Sequence, residues 1–150
     1  MAKAKIFDVN EQEWKRDWGN GLSSCVMKLP PLATLQYWEL PAGFGAEPHS
    51  HENIQLTYVQ NGKMQLNVDD ESYILNEGCF ALIPANAVHS TKNVGSTTVV
   101  NIDFFLPDRD DREDSVKIRD FGHEMKYGSI PLYGERKTEP VSGSVFCCCK

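Results

Sequence analysis

The sequence predicts an all-β domain, built as an antiparallel sandwich or barrel. From residue 33 onward, apolar residues alternate with polar ones in short runs, which is typical of strands with one buried face. Turn residues such as Asn, Asp and Gly interrupt these runs every eight to twelve residues. The chain has 150 residues and is 41% hydrophobic, which suits one domain with its own core.

The first segment is predicted to be a short helix that packs on the barrel. Asn10 is a candidate N-cap, and Val9 is placed to pack against Trp14. Trp14 and Trp18 share one helical face at a spacing of four, which indicates a docking face rather than a ligand site. Residues 1–32 are therefore expected to be an N-terminal segment outside the barrel core.

The barrel core is expected to span residues 33–107. Asn61-Gly62 is a strong local signal for a tight hairpin between two of its strands. The predicted strands are residues 33–40, 54–59, 64–68, 72–75, 79–83, 88–92 and 97–105.

After Pro107 the alternation stops. A dense mixed-charge run covers residues 108–114, and residues 120–150 show neither helical nor strand periodicity. We expect residues 108–150 to form an irregular C-terminal extension: a flexible tail, a strap over the barrel or a strand exchanged with a partner.

Charge and composition exclude several classes of partner. The net charge is -6, from 15 Lys and Arg against 21 Asp and Glu, which is unfavourable for nucleic acid or an anionic membrane. No apolar run approaches the ~20 residues of a membrane helix, and the first residues lack the apolar part of a signal peptide.

Cysteine usage predicts a cytoplasmic protein. Five cysteines, an odd number placed unevenly, argue against a disulfide framework. Cys25 and Cys79 are expected in the core as free thiols. Cys147, Cys148 and Cys149 are consecutive, so they cannot easily face one ion, and they are expected to form a loose end that oxidises readily.

Three of the four histidines form a candidate metal site. His49 and His51 lie two residues apart, so both imidazoles point the same way on an extended strand. Gln55 lies four residues after His51, so on an extended strand its side chain points to the same face. A straight strand would nevertheless place it roughly 13 Å beyond His51, too far to share an ion. A bend is therefore required if Gln55 is a ligand, and His89 must come from a strand folded back alongside. His123 lies apart and is expected to be solvated.

The last predicted strand carries a second set of candidate residues. Asn101, Asp103 and Phe105 share one face, and if that face is interior, Asp103 is a candidate general acid or base. Arg109 follows the strand and could bind a substrate carboxylate with two hydrogen bonds. The alternatives are an outward-facing Asp103 and an Arg109 that belongs to a solvated charge run.

These residues lie in two motifs that resemble those of the cupins over about residues 40–107. The first is Gly43, five residues, His49-Ser-His51, three residues, Gln55, six residues and Gly62. The second is Gly78, five residues, Pro84-Ala-Asn86, two residues, His89, three residues and Asn93. The resemblance implies a small jelly-roll barrel in which His49, His51, Gln55 and His89 hold one divalent metal ion: Zn, Ni, Mn or Fe. A cupin that keeps its histidines but binds no metal is the alternative.

Gln55 stands where most cupins have Glu, and Asn86 where they have Gly. Three neutral imidazoles and a carboxamide would leave the +2 charge of the ion uncompensated by protein. This favours polarisation of an anionic substrate over one-electron oxygen chemistry.

The residues at the end of the last predicted strand and just after it are similar to those of small cupins of the KdgF type, which take part in pectin degradation. The matching residues are Asp103, Phe105 and Arg109, within Asp103-Phe-Phe-Leu-Pro-Asp-Arg109-Asp110. The resemblance implies an isomerase or lyase type of enzyme that opens cyclic 4,5-unsaturated uronates to linear keto forms. Asp103 would move protons, and Arg109, Phe105 and Asn101 would bind the substrate. The stretch beyond Asp110 is a departure, since it exceeds that of such cupins by roughly forty residues.

Two other functions stay open, and a homodimer is the expected assembly. One is an iron or manganese cupin dioxygenase. The other is a binding or sensory module that holds a small molecule without turning it over, with residues 120–150 as its regulatory part.

Overall fold

A computed structural model describes residues 8–15 and 21–112. Within these residues the chain forms one short 3₁₀ turn and eight strands. The strands are β1 (Ser23–Leu29), β2 (Ala33–Leu40), β3 (Ile54–Asn61), β4 (Lys63–Val68), β5 (Glu71–Asn76), β6 (Phe80–Ile83), β7 (His89–Asn93) and β8 (Val99–Leu106).

The strands form two sheets, which confirms the predicted all-β jelly-roll fold. A five-stranded sheet has the order β1-β2-β8-β3-β6, and a three-stranded sheet has the order β5-β4-β7. All pairings are antiparallel. A cluster of buried apolar side chains from both sheets forms the core; it includes Leu40, Val59, Met64, Leu66, Ile83 and Val99.

The predicted hairpin at Asn61-Gly62 is wrong. Strand β3 pairs with β8 and β6, whereas β4 pairs with β5 and β7, so the chain passes from one sheet to the other at Gly62. Gly62 has a φ of +88°, and a Cβ there would lie 2.9 Å from Cγ2 of Val99. The glycine is therefore required by a tight corner between the sheets, which uses the same backbone conformation as a hairpin turn.

The helical segment predicted near the N-terminus is a single 3₁₀ turn, Val9–Glu11, and its cap is not Asn10. Asp8 is the N-cap, because its Oδ1 accepts a hydrogen bond of 3.0 Å from the backbone N of Asn10. Trp14 contacts Val9 through a hydrogen bond: its Nε1 donates to the carbonyl O of Val9 at 2.9 Å. Trp18 lies outside the described residues.

Strand β1 was not predicted by the sequence analysis. It pairs with β2 from Ser23↔Glu39 to Leu29↔Ala33 and forms one edge of the five-stranded sheet. Its burial does not alternate, since Ser24, Cys25 and Val26 are all buried. A strand covered on both faces lacks the period-two pattern on which the other strands were predicted.

Both cysteines predicted in the core are buried, but Cys79 is not the free thiol that was expected. It is disulfide-bonded. Most of the predicted C-terminal extension, with His123, Cys147, Cys148 and Cys149, lies outside the described residues. Among the described residues, no helix is long and apolar enough to cross a membrane.

Candidate metal centre

The two histidine motifs meet through the backbone. An isolated antiparallel bridge joins His49 to His89, with N···O distances of 3.0 and 2.8 Å. The ring centroids are 4.3 Å apart for His49 and His89, 4.9 Å for His51 and His89, and 5.9 Å for His49 and His51. One nitrogen from each ring lies within 4.8 Å of the other two, so the three histidines are positioned to bind one metal ion.

Backbone hydrogen bonds fix which ring nitrogen each histidine can offer to a metal. Each Nδ1 lies 2.7 to 3.0 Å from a carbonyl O two residues away. A carbonyl oxygen can only accept, so each Nδ1 carries the proton and each Nε2 keeps its lone pair. The carbonyls belong to Glu47 for His49, Asn53 for His51 and Ala87 for His89.

Gln55 reaches the histidines because the chain bends before β3 begins. Its Oε1 lies 3.0 Å from Nε2 of His51, far closer than a straight strand would allow. Its Nε2 donates to Oγ1 of Thr57 at 3.1 Å, which leaves Oε1 turned toward the imidazole. With Nδ1 of His51 protonated, two lone-pair atoms face each other. A shared cation would turn this unfavourable contact into two metal bonds.

His89 supplies the observation that tests whether a metal fits. It is 2% exposed, and its Nε2 has no hydrogen-bond partner among the described residues, which is a costly state for a buried polar atom. Burial, with a smaller contribution from the neighbouring His49, lowers the pKa of His89 to about 4. The imidazole is therefore neutral at pH 7 and ready to bind a metal, so the residues present fit a divalent ion.

We expect the metal-free protein to lose stability as the pH falls. The unfolded chain binds a proton at His89 below about pH 6.5, whereas the folded chain does not until about pH 4. Between these values the unfolded state holds more protons, so the free energy of unfolding drops, by up to about 3 kcal/mol at pH 4. Urea unfolding at pH 7.0, 5.5 and 4.5 measures this. His89→Gln should show a smaller drop, and parallel curves for the two proteins would contradict the assignment.

Asp103 lies on β8 in a buried network that leads back to the candidate metal ligands. It is 6% exposed, and its Oδ1 accepts hydrogen bonds from Oγ1 of Thr57 and, at 3.1 Å, from Nδ2 of Asn101. Burial raises the pKa of Asp103, while hydrogen bonds from Thr57 and Gln55 act in the opposite direction. Thr57 therefore contacts both Gln55 and Asp103, although no motif in the sequence points to it.

Arg109 is buried rather than part of a solvated charge run. Its guanidinium Cζ lies 4.7 Å from the centroid of the Phe105 ring, and that ring packs edge-on against His51 at 5.3 Å. Nε and Nη2 of Arg109 donate to the two carboxylate oxygens of Asp111, at 2.8 and 2.7 Å. The two-bond edge predicted for a substrate is therefore occupied by a residue of the chain itself.

Several of these groups line one cavity of about 340 Å³. Three of the four candidate metal ligands, His49, Gln55 and His89, lie at its wall with Asp103 and with the guanidiniums of Arg109 and Arg112. No motif in the sequence points to Arg112. Trp38, Leu40 and Phe105 supply apolar walls. The polar lining comprises Glu47, His49, Gln55, His89, Thr91, Asn101, Asp103, Arg109 and Arg112.

A family model described as a cupin domain matches residues 36–105. The chain belongs to the cupin family. An uncharacterized protein of Aquifex aeolicus (strain VF5) is 38% identical over 119 residues, which cover 79% of this chain and 96% of the relative.

Solved structures show the same fold. An RmlC-like cupin from Shewanella frigidimarina NCIMB 400 has a TM-score of 0.63 at 26% identity, with 74% of this chain and 98% of that chain covered. KdgF from Halomonas sp. has a TM-score of 0.65 at 24% identity, with 73% and 98% covered.

One departure of this cupin from the usual motif has a backbone explanation. Asn86 stands where Gly is usual, and its φ is +64°. Asn is among the few residues that adopt this left-handed conformation readily, so the turn before His89 is kept without a glycine.

Proposed function

We propose that this cupin is a metal-dependent enzyme acting on a small anionic substrate, and that it opens cyclic 4,5-unsaturated uronates to linear keto forms. One observation carries the proposal: a buried carboxyl, Asp103, and a buried guanidinium, Arg109, share one cavity with three of the four candidate metal ligands. The reaction needs a cationic site for the sugar carboxylate and a group that moves protons. The chain supplies both.

The cavity favours an anion of about the size of a monosaccharide. Its volume of about 340 Å³ is at the lower end of small-molecule pockets. Arg109 and Arg112 contribute two guanidiniums, Glu47 contributes a carboxyl, and Phe105 and Trp38 supply apolar walls. His49, His51, Gln55 and His89 would hold the metal, which when bound acts as a Lewis acid on a substrate oxygen.

Asp103 is suited to proton transfer. The hydrogen bonds from Thr57 and Asn101 fix its orientation, and its raised pKa favours the protonated form more than for an exposed carboxyl. In the proposed reaction the proton leaves the hemiacetal hydroxyl, the ring C–O bond breaks to give an aldehyde and an enolate, and the enolate takes that proton on carbon and becomes a ketone. No atom is gained or lost, so Asp103 can accept one proton and return it.

The proposal is tested by following the ultraviolet absorbance of a 4,5-unsaturated monouronate. Metal-replete protein is expected to remove the conjugated enol signal faster than the spontaneous rate, and a chelator should abolish the acceleration. Controls are the buffer with metal alone and the protein restored with metal after chelation. An unaccelerated signal with metal-replete protein would exclude this substrate. Oxygen uptake with a catechol or thiol would instead support the dioxygenase, and tight binding without product would support the binding module.

The assembly, the location and the metal also stay proposals. The five-stranded sheet ends in two edge strands, β1 and β6, and an edge strand can pair with a second copy. Light scattering on the full chain tests the expected homodimer, and elemental analysis of protein purified without added metal identifies the ion. A cytoplasmic location remains the expectation from the sequence.

A further inference from the structure

The Arg109–Asp111 pair at the cavity is a built carboxylate contact. Nε and Nη2 of Arg109 point in parallel at the two oxygens of one carboxylate, which is the arrangement that an arginine makes with a carboxylate ligand. The side chain of Arg109 is 8% exposed, whereas that of Asp111 is 57% exposed. The arginine is therefore the fixed partner, and the aspartate is the partner that solvent can replace.

Both guanidiniums around Asp111 are anchored from the barrel. The backbone N of Arg109 donates to Oγ1 of Thr34 at 2.8 Å, and its side chain packs on Phe105. Nε of Arg112 donates to Oε1 of Gln36, a fully buried residue of β2, at 3.1 Å. Nη1 of Arg112 then donates to Oδ2 of Asp111 at 2.7 Å.

One donor of this group has no partner within the described residues. Nη1 of Arg109 is buried and makes no hydrogen bond, although Arg109 lines the cavity. A ligand carboxylate at this position would have Nε and Nη2 of Arg109 and Nη1 of Arg112 as donors, with the additional donor Nη1 of Arg109 beside them. The site therefore offers an anion one more hydrogen-bond donor than Asp111 uses.

We propose that Arg109 and Arg112 form a carboxylate subsite which Asp111 fills in the free protein, and that the carboxylate of the ligand displaces Asp111. This rests on the anionic substrate of the proposed function. A buried guanidinium without a counter-charge is strongly destabilising, so the chain supplies its own carboxylate until a ligand brings another. The exchange replaces one charge pair by an equivalent one, and the displaced Asp111 moves into solvent.

Asp111 accordingly reduces the apparent affinity for anions. A ligand meets a competent site only in the fraction of molecules in which Asp111 has left Arg109, and its apparent Kd rises by the inverse of that fraction. Removing the carboxylate of Asp111 should therefore tighten anion binding. A purely structural ion pair would give no such gain.

The test uses D-glucuronate, a saturated sugar acid without the 4,5 double bond, titrated calorimetrically into full-length, metal-replete protein. Asp111→Asn is expected to bind it about ten-fold more tightly than the wild type. Asp110→Asn is the matched control, because it makes the same charge change at an exposed neighbour and should stay within about two-fold. D-Glucose, which has no carboxylate, should bind all three proteins alike.

Unfolding measurements provide a second readout. Glucuronate should raise the free energy of unfolding more in Asp111→Asn than in Asp110→Asn, because the variant lacks its internal counter-charge. Equal or weaker glucuronate binding by Asp111→Asn would overturn the inference, and weaker binding would show that Asp111 orients Arg109 instead. Absence of binding by all three proteins would also overturn it. Turnover of the unsaturated uronate is measured separately, so either proposal can fail while the other stands.

Discussion

Asp103→Asn is expected to lower turnover of a 4,5-unsaturated uronate by about 10²- to 10⁴-fold, the usual contribution of a general acid or base. The amide has nearly the same shape, and its oxygen can still accept from Thr57 and Asn101, so the cavity should keep its form. An amide cannot exchange a proton at neutral pH. The substitution therefore removes the proton transfer and leaves the shape of the side chain nearly unchanged.

Measurements of metal content and of stability distinguish a loss of proton transfer in Asp103→Asn from damage to the fold. Asp103 is not among the candidate ligands, so metal per chain should match the wild type. Burial raises its pKa, so the ionised carboxylate is unfavourable in the folded state above that pKa, and Asn removes the cost. Urea unfolding at pH 7 should therefore show a variant at least as stable as the wild type. Asp70→Asn, at an exposed turn residue, is the control for charge, and full activity of Asp103→Asn would exclude the proposed role.

The alternation of side chains was sufficient to predict most strands of the barrel. Residues 33–40 were predicted as a strand, and β2 covers Ala33–Leu40. The other predicted strands lie within about two residues of the observed bounds. Each has one face toward the core and one toward solvent, which is the condition under which a period of two is visible in a sequence.

Pairing between strands could not be predicted in the same way. Asn61-Gly62 shows that the backbone needs a left-handed residue at a tight turn, but it does not show whether the flanking strands pair with each other. In this fold β3 pairs with β8, which is separated from it by four other strands in the sequence. Only the complete set of sheet contacts decides between a hairpin and a corner.

The need to know strand pairing also explains which candidate site residues the sequence predicts and which it does not. His49, His51, Gln55 and His89 belong to motifs with fixed spacing. Thr57, by contrast, has its role because it pairs with Asp103 in the register of β3 and β8. Its parity with Gln55 was the available signal, and it became useful only once β8 was known to lie alongside.

Arg112 and Asp111 could not be assigned from the sequence for an electrostatic reason. In a run with Asp108, Asp110 and Asp111, an arginine is typical of a solvated surface. The anchors that hold the two arginines against the barrel lie on β2: Thr34, which accepts from the backbone N of Arg109, and Gln36, which accepts from Arg112. A charge run thus becomes part of a cavity through partners more than seventy residues earlier in the chain.

His89→Gln is expected to weaken divalent metal binding by at least about 100-fold. Even residues that only support a ligand cost about 10- to 100-fold in metal affinity, and His89 offers the most buried ligand atom of the cluster. Its Nε2 has no hydrogen-bond partner within residues 8–15 and 21–112 and is the atom that metal binding would satisfy. Calorimetric titration of metal-free protein with Zn²⁺ and with Mn²⁺ measures the loss.

His123→Gln is the matched control, because it makes the same chemical change outside both motifs and should leave the metal affinity unaltered. A thermal readout follows from linkage: metal at 100 times its Kd should stabilise the wild type and His123→Gln by about 2.7 kcal/mol, and His89→Gln by much less. Circular dichroism of the metal-free proteins establishes that all three are folded before metal is added. Equal metal affinity in His89→Gln would show that the three imidazoles do not act together, and the metal-dependent function would then have no basis in this cluster.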